Sequence, residues 1–121
     1  MIGYVTFGTN NLLKAAAFYD ALAQEMGAGR VMETGKFIAW GMPGAAMLFL
    51  IKPNDGKPAT VGNGVMVALA ASDTAMVDRV YKLAMSLGGT DEGAPGDRGG
   101  GFYAAYFRDP EGNKLNVFCQ G

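Results

Sequence analysis

The segment from Phe102 to Phe118, FYAAYFRDPEGNKLNVF, consists of two alternating apolar runs on either side of a short polar turn. Such alternation is typical of two antiparallel strands, and DPEGN between them supplies the proline, glycine and asparagine of a tight turn. Asn116 stands in the second run, on the opposite face from Leu115 and Val117. The segment therefore predicts a closing hairpin whose last strand presents an amide on its less apolar face.

The first half of the chain has the pattern of a strand, a helix and a hairpin. Apart from two glycines, positions 2–9 hold β-branched and aromatic residues, and the helical spacing that follows begins at Asn10 or Asn11 and ends at Gly27. The runs FIAWGM and AMLFLI, joined by PGA, predict two antiparallel strands. A short strand at residues 30–33 is expected to precede them.

The second half repeats this order. Residues 65–71 predict a strand, Ser72 is the expected cap of the next helix, and Gly88 with Gly89 ends it. The glycine-rich segment 91–101 is expected to be a loop with at most a short strand at its start. The hairpin described above then completes the chain.

The two halves match at an offset of 62 residues, which pairs Tyr19 with Tyr81. We therefore predict an α+β fold made of two βαβββ modules. Module one covers about residues 1–59 and module two about 60–121, within a single domain of residues 1–121. Each sheet is expected to carry its helix on the outer face, and the curved mixed sheet is expected to surround a concave trough.

Strand alternation assigns side chains to that trough. We expect it to bind a small molecule, either within one chain or across a dimer. The candidate ligand-binding residues are Tyr4, Thr6, Trp40, Met47, Phe49, Met66, Tyr106, Asn116 and Phe118.

Composition excludes several functional classes. The 121 residues are 50% apolar and carry a formal charge of −1 with dispersed charges, which gives no footprint for nucleic acid or an anionic membrane. There is no histidine and one cysteine, so a Cys/His zinc site is not expected. No apolar run reaches the roughly 18 residues of a membrane span. We expect a cytoplasmic protein without a cofactor.

Three segments resemble the vicinal oxygen chelate superfamily, which includes glyoxalase I, bleomycin and fosfomycin resistance proteins and extradiol dioxygenases. IGYVTFGTNNLLKAAAFYDAL is similar to the family's strand, turn and helix with an FY pair. GNGVMVALAASDTAMVDRVYKLAMSLGGTDEG is similar to the opening of the second module. GFYAAYFRDPEGNKLNVFC is similar to its closing hairpin, and is the most specific of the three.

The resemblance implies where a metal would be bound. In metal-binding members, ligands stand on the first strand of each module and on the last strand of the second, sometimes with one more on the last strand of the first. Those positions hold Tyr4, Met66, Asn116 and either Met47 or Phe49. We therefore expect a member without the family metal.

Several of these side chains allow more than one interpretation. Tyr4 and Arg98 are weak catalytic candidates; Tyr4 is otherwise an aromatic wall, and Arg98 either binds a carboxylate or phosphate or is a solvated loop residue. Met66 lines a pocket or fills the core. Trp40 is expected to meet a planar ligand or a dimer partner. Asn116 either bonds to a ligand or faces water.

Three functions remain open at this point. The first is a metal-free homodimer that binds an apolar or aromatic ligand, as drug-sequestering members do. The second is an enzyme, a lyase or isomerase of the lactoylglutathione-lyase type. The third is a scaffold or regulatory protein with a degenerate site, because fold alone does not fix function.

Overall fold

Each half of the chain forms a helix on a four-stranded sheet in the computed structural model, which describes residues 1–121. The chain divides into a unit of residues 1–61 and a unit of residues 62–121. The first unit contains β1 (Tyr4–Gly8), α1 (Leu12–Glu25), β2 (Gly29–Glu33), β3 (Phe37–Gly41) and β4 (Met47–Ile51). The second unit contains β5 (Val67–Ala70), α2 (Thr74–Ser86), β6 (Thr90–Asp97), β7 (Phe102–Arg108) and β8 (Lys114–Gln120).

The two sheets have equivalent strand orders, β1-β4-β3-β2 and β5-β8-β7-β6. In each sheet the first strand runs parallel to the last, and the other neighbouring strands are antiparallel. The helix between the first and second strands covers one face, as a crossover connection requires. This arrangement confirms the predicted α+β fold of two βαβββ modules with mixed sheets.

The two helices begin at different kinds of cap. α1 follows Asn11, whose side chain accepts a hydrogen bond from the Lys14 N–H at 3.1 Å. α2 follows Asp73, whose Oδ1 accepts from the Met76 N–H at 2.8 Å. The prediction of Ser72 as this cap is wrong by one residue. Both side chains suit a helix N-terminus, but Asp73 is the one with extended backbone facing the free amide.

Both helices end at the predicted glycines. Gly27 has φ 79° and Gly88 has φ 94°, a left-handed conformation that glycine adopts without a steric penalty. The next residue donates back across the end of each helix, from Ala28 to the Ala23 carbonyl at 2.8 Å and from Gly89 to the Ala84 carbonyl at 2.9 Å. Neither helix has the length and apolar character needed to cross a membrane.

Each helix contributes an apolar stripe to the core of its own unit. α1 buries Leu12, Ala15, Ala16, Phe18, Tyr19 and Leu22. The sheet residues that are buried in the same unit include Phe7, Ile38, Trp40 and Leu50. α2 buries the smaller side chains Val77, Val80 and Ala84, while Phe107, Leu115 and Val117 are fully buried in its sheet.

The largest difference from the sequence-based prediction is β6. Residues 90–97 form a strand, although most of this stretch was expected to be a loop. The strand pairs with β7 through two irregularities in register, between Asp91 and Gly93 and between Gly93 and Gly96. β6 lies at the edge of its sheet, where Pro95 and bulges are tolerated because one side of the strand makes no ladder bonds.

Candidate functional site

The face of the first sheet opposite α1, here called its open face, carries a row of three aromatic rings. Thr6 lies opposite Phe49, and Phe49 lies opposite Ala39, so these positions share one face. The Tyr4 and Phe49 ring centroids are 4.5 Å apart, and those of Phe37 and Phe49 are 5.3 Å apart. The row therefore crosses β1, β4 and β3 as one continuous apolar surface.

The row is accessible to solvent. Tyr4 is 58% exposed, and Met47, Phe49 and Phe37 are half-buried. The structure thus brings Tyr4, Thr6, Met47 and Phe49 together on one face. Phe37 was missed by the sequence analysis, because β3 carries apolar residues on both faces and no polar residue marks which face is open.

Trp40 lies on the opposite face. It pairs with Leu48, is 3% exposed, and its ring centroid is 5.5 Å from that of Tyr19 on α1. Its Nε1 donates to Asp20 Oδ1 at 2.8 Å, which supplies the partner that a buried indole requires. The expectation that Trp40 meets a ligand or a dimer partner is therefore corrected, because its strand phase directs it into the core.

A charged cluster on α1 and β2 contacts this indole through Asp20. Arg30 donates from Nε and Nη2 to the two carboxylate oxygens of Asp20, each at 2.8 Å, and from Nη1 to Glu33 at 2.9 Å. The hydrogen bond from Arg30 lowers the pKa of Asp20, with a smaller contribution from Trp40, although burial opposes both. The hydrogen bond to Asp20 in turn raises the pKa of Arg30. The cluster joins helix to sheet and is structural in character.

The open face of the second sheet, opposite α2, carries Tyr106, Asn116 and Phe118. Tyr106 pairs with Asn116, and Ala104 pairs with Phe118. Phe118 stacks on Phe102, with centroids 5.4 Å apart. This sheet therefore also presents aromatic rings on its open face.

The Asn116 side chain is buried and hydrogen-bonded to the protein, and it is not exposed to solvent. It is 2% exposed, and its Nδ2 donates to the Ala105 carbonyl at 3.0 Å. The alternative of an amide facing water is therefore wrong. This hydrogen bond fixes the orientation of the amide group beside Tyr106.

Arg98 and Lys114 both lie near the Tyr106 ring on this face. The Arg98 guanidinium carbon lies 5.5 Å from the Tyr106 ring centroid, and Lys114 Nζ lies 5.8 Å from it. Lys114 was not among the candidates, although its alternation with Asn116 along β8 places it on this face. The face therefore combines an aromatic ring, a buried amide and two cations.

Met66 does not lie within a strand. β5 begins one residue later, at Val67, and Met66 is 44% exposed. Its interpretation as core filler is therefore wrong, and so is its placement on the first strand of the second module.

The residues at the positions implied for a metal do not fit a divalent cation. Tyr4 offers a phenol, Met66 and Met47 offer thioethers, and Asn116 offers an amide whose nitrogen is already bonded to a carbonyl. The divalent cations expected at such a site prefer imidazole and carboxylate donors. No group of three or more His, Cys, Asp or Glu side chains converges on a common point.

A separate cleft of about 420 Å³ lies in the first unit at the start of α1. It is lined by Asn10, Asn11, Leu12, Leu13, Arg30, Glu33, Thr34, Gly35, Ile38 and Lys52. None of the candidate ligand-binding residues belongs to it. Its Arg30 is bound to Asp20 and Glu33, so we assign no ligand to this cleft.

The turn between β7 and β8 is built around Asp109. Asp109 Oδ1 accepts hydrogen bonds from the backbone N–H groups of Glu111 and Asn113, each at 2.9 Å, and Gly112 has φ 100°. These contacts are those of a tight turn. The DPEGN segment therefore positions β8 and takes no direct part in the open face.

Comparison with known proteins agrees with this architecture. The sequence model of the Glyoxalase/Bleomycin resistance protein/Dioxygenase superfamily matches residues 1–117. The chain therefore belongs to this superfamily, as its closing hairpin and duplicated modules suggested. A search of curated protein sequences found no match.

Solved structures show the same similarity. A glyoxalase/bleomycin resistance protein from Albidiferax ferrireducens T118 is 34% identical, with a TM-score of 0.92 over 100% of this chain and 99% of that one. A lactoylglutathione lyase from Agrobacterium tumefaciens is 25% identical, with a TM-score of 0.71 over 98% of this chain and 92% of that one. A glyoxalase/bleomycin resistance protein/dioxygenase family enzyme from Burkholderia phytofirmans PsJN, at 18% identity and a TM-score of 0.78 over 98% of both chains, shares the fold.

Proposed function

We propose that this chain is a small-molecule-binding member of the superfamily that works without a metal. Its ligand is apolar or aromatic and lies on the open face of the first sheet. The observation that carries this proposal is the row of Tyr4, Phe49 and Phe37, whose rings follow one another across three strands.

The row has the properties of a binding surface for planar molecules. Aromatic pairs in offset or tilted contact contribute about 0.5–1.5 kcal/mol beyond the area that they bury. Met47 beside the row is unbranched and polarisable, so it adapts to ligands of different shape. Thr6 on the same face supplies a hydroxyl that can orient a polar group of the ligand.

Two further parts of the proposal concern the metal and the assembly. The donor groups at the implied metal positions favour binding without a cation. An accessible apolar surface of this kind favours association of two chains, because solvent-exposed apolar patches on monomers are usually small. We therefore propose a homodimer, expected to have a mass near twice 12.6 kDa in solution.

The binding proposal can be tested with N-phenyl-1-naphthylamine, a neutral aromatic dye whose fluorescence rises in apolar surroundings. We expect saturable binding to the native protein. Tyr4→Ala and Phe49→Ala each remove one aromatic ring of the row. Each should weaken dye binding by about 2- to 10-fold, which corresponds to the free energy of one aromatic contact. Circular dichroism of both variants checks that the fold is retained.

Leu13→Ala is the matched control, because Leu13 is an apolar residue on α1 that is 82% exposed. This variant should bind the dye like the parent protein. Equal binding by all variants would remove the row from the site. Stoichiometric Ni, Zn, Fe or Mn in the purified protein would contradict the metal-free part, and a purely monomeric mass would contradict the dimer.

A second candidate function is suggested by the similarity to the Agrobacterium tumefaciens lactoylglutathione lyase. In that case the protein is a lyase or isomerase in which Tyr4 or Arg98 contacts the substrate. Turnover of a glutathione hemithioacetal that Tyr4→Phe or Arg98→Ala reduces would favour this function. The absence of both turnover and dye binding would favour a scaffold or regulatory role.

A further inference from the structure

Two cations lie close to one aromatic ring on the open face of the second sheet. The Arg98 guanidinium lies 5.5 Å from the Tyr106 ring centroid and the Lys114 ammonium lies 5.8 Å from it. Both distances fall within the range of cation–π attraction. Arg98 is exposed, while Tyr106 and Lys114 are half-buried. The arrangement concentrates positive charge beside an apolar ring.

The Arg98 side chain is held in place by the backbone. Its Nη2 donates to the carbonyl oxygens of Ala94 and Ala104, the latter at 3.1 Å. A Cβ atom at Gly93 would lie 3.4 Å from this nitrogen and 3.2 Å from the Tyr106 ring, so a glycine is what allows the two side chains to lie so close to the strand. Arg98 is therefore pre-organised over the face and does not extend freely from its turn.

The remaining donors of Arg98 have no protein partner. Its side-chain hydrogen bonds all leave from Nη2, and it forms no ion pair with a carboxylate. A guanidinium has five N–H donors, so Nε and Nη1 keep three of them for a ligand. Holding a charged side chain in one conformation costs entropy, and a ligand contact would offset that cost.

The surroundings do not neutralise this charge. The nearest carboxylate to Lys114 is Glu92, at 3.8 Å, and Glu92 also accepts from Arg108 at 3.1 Å. Lys114 and Arg108 thus share one carboxylate and Arg98 has none, although the whole protein has an acidic pI of about 5.2. The local excess of positive charge favours an anion at this face.

We propose that the open face of the second sheet contains an oxyanion site. Arg98 donates to a carboxylate or phosphate group, Lys114 adds a second positive charge, and the Tyr106 ring contacts the apolar part of the same molecule. This site goes beyond the proposed function, which requires only the first sheet.

The test compares 2-naphthoate with 2-naphthamide, which has the same shape without the charge. Calorimetric titration should show that the parent protein binds 2-naphthoate about tenfold more tightly, as expected for a charge-assisted hydrogen bond. Arg98→Gln should remove most of this preference and leave 2-naphthamide binding unchanged. Lys114→Met should reduce the preference less, and added salt should weaken only 2-naphthoate binding. A third ligand, 2-naphthyl phosphate, distinguishes a carboxylate site from a phosphate site. Whichever of 2-naphthoate and 2-naphthyl phosphate binds more tightly identifies the anionic group that the site prefers.

Arg79→Gln is the control, because it removes the same charge from the exposed surface of α2. It should leave the preference intact. The proposal is overturned if the parent protein binds both naphthalenes equally, if Arg98→Gln keeps the preference, or if 2-naphthoate does not bind. The first two results leave the proposed function standing, since that depends on Tyr4 and Phe49 and on a neutral ligand.

Discussion

Replacing Asp20 with alanine should destabilise the first unit mainly because the buried Trp40 N–H loses its hydrogen-bond acceptor. The loss of the ion pair with Arg30 should contribute less. Asp20 accepts three hydrogen bonds, two from Arg30 and one from Trp40 Nε1. The ion pair is on the surface, with side-chain exposures of 34% for Arg30 and 43% for Asp20. Trp40 is 3% exposed, so without Asp20 its N–H has neither a protein partner nor ready access to water.

The two contributions differ in size. An unsatisfied buried donor costs about 1–3 kcal/mol. A surface ion pair contributes about 0.2–1 kcal/mol after solvent screening. We therefore expect Asp20→Ala to lower the free energy of unfolding by about 2 kcal/mol, and Arg30→Gln to lower it by less than 1 kcal/mol.

Urea unfolding followed by far-ultraviolet circular dichroism measures both values. The sharper comparison uses Trp40→Phe, which keeps an aromatic ring and removes the N–H. In that background Asp20→Ala should lose only the ion-pair contribution, less than 1 kcal/mol. If Asp20→Ala costs no more than Arg30→Gln in the parent protein, the indole does not depend on Asp20 and the reasoning fails.

The pH dependence has a definite sign. The pKa of Asp20 is lowered in the folded state, mainly by Arg30, so its contribution is present above the unfolded value of about 3.9. The contribution is lost as the pH falls through the folded pKa. Asp20→Asn should therefore differ from the parent protein at neutral pH, and the difference should shrink in acid.

Two further changes test local features of the chain in the same unfolding assay. Asp73→Ala should cost about 1 kcal/mol because it removes the α2 cap, whereas Ser72→Ala should cost only a few tenths; equal losses would contradict the assignment of the cap. Gly89→Ala would place a Cβ atom 2.7 Å from the carbonyl oxygen of Ala84 and should cost about 1–3 kcal/mol, whereas Gly64→Ala meets open space and should be close to neutral.

Alternation predicted the side-chain orientations well where a polar residue marks one face of the strand. In β8, the buried Leu115 and Val117 define the phase, so Asn116 and Phe118 were assigned to the open face and lie there. In β3 the apolar residues occupy both faces, and a run such as Phe37 to Trp40 contains no polar residue to set the phase. Trp40 was misplaced for this reason.

Other differences depend on contacts that no local pattern contains. β6 has the glycine and proline content of a loop, and it is a strand because β7 offers a partner for an edge position. Asn116 was expected on its face, but its burial and its bond to Ala105 depend on neighbouring strands. The Arg98 conformation likewise depends on two carbonyl groups and on the space left by Gly93.

The position of Trp40 gives the protein a spectroscopic asymmetry. It is the only tryptophan, and it is buried in the unit formed by residues 1–61. Selective excitation of indole emission therefore follows the first βαβββ module alone, while circular dichroism follows both. Coincident transitions would show that the duplicated modules unfold as one cooperative system, and separate transitions would give the stability of each half without cutting the chain.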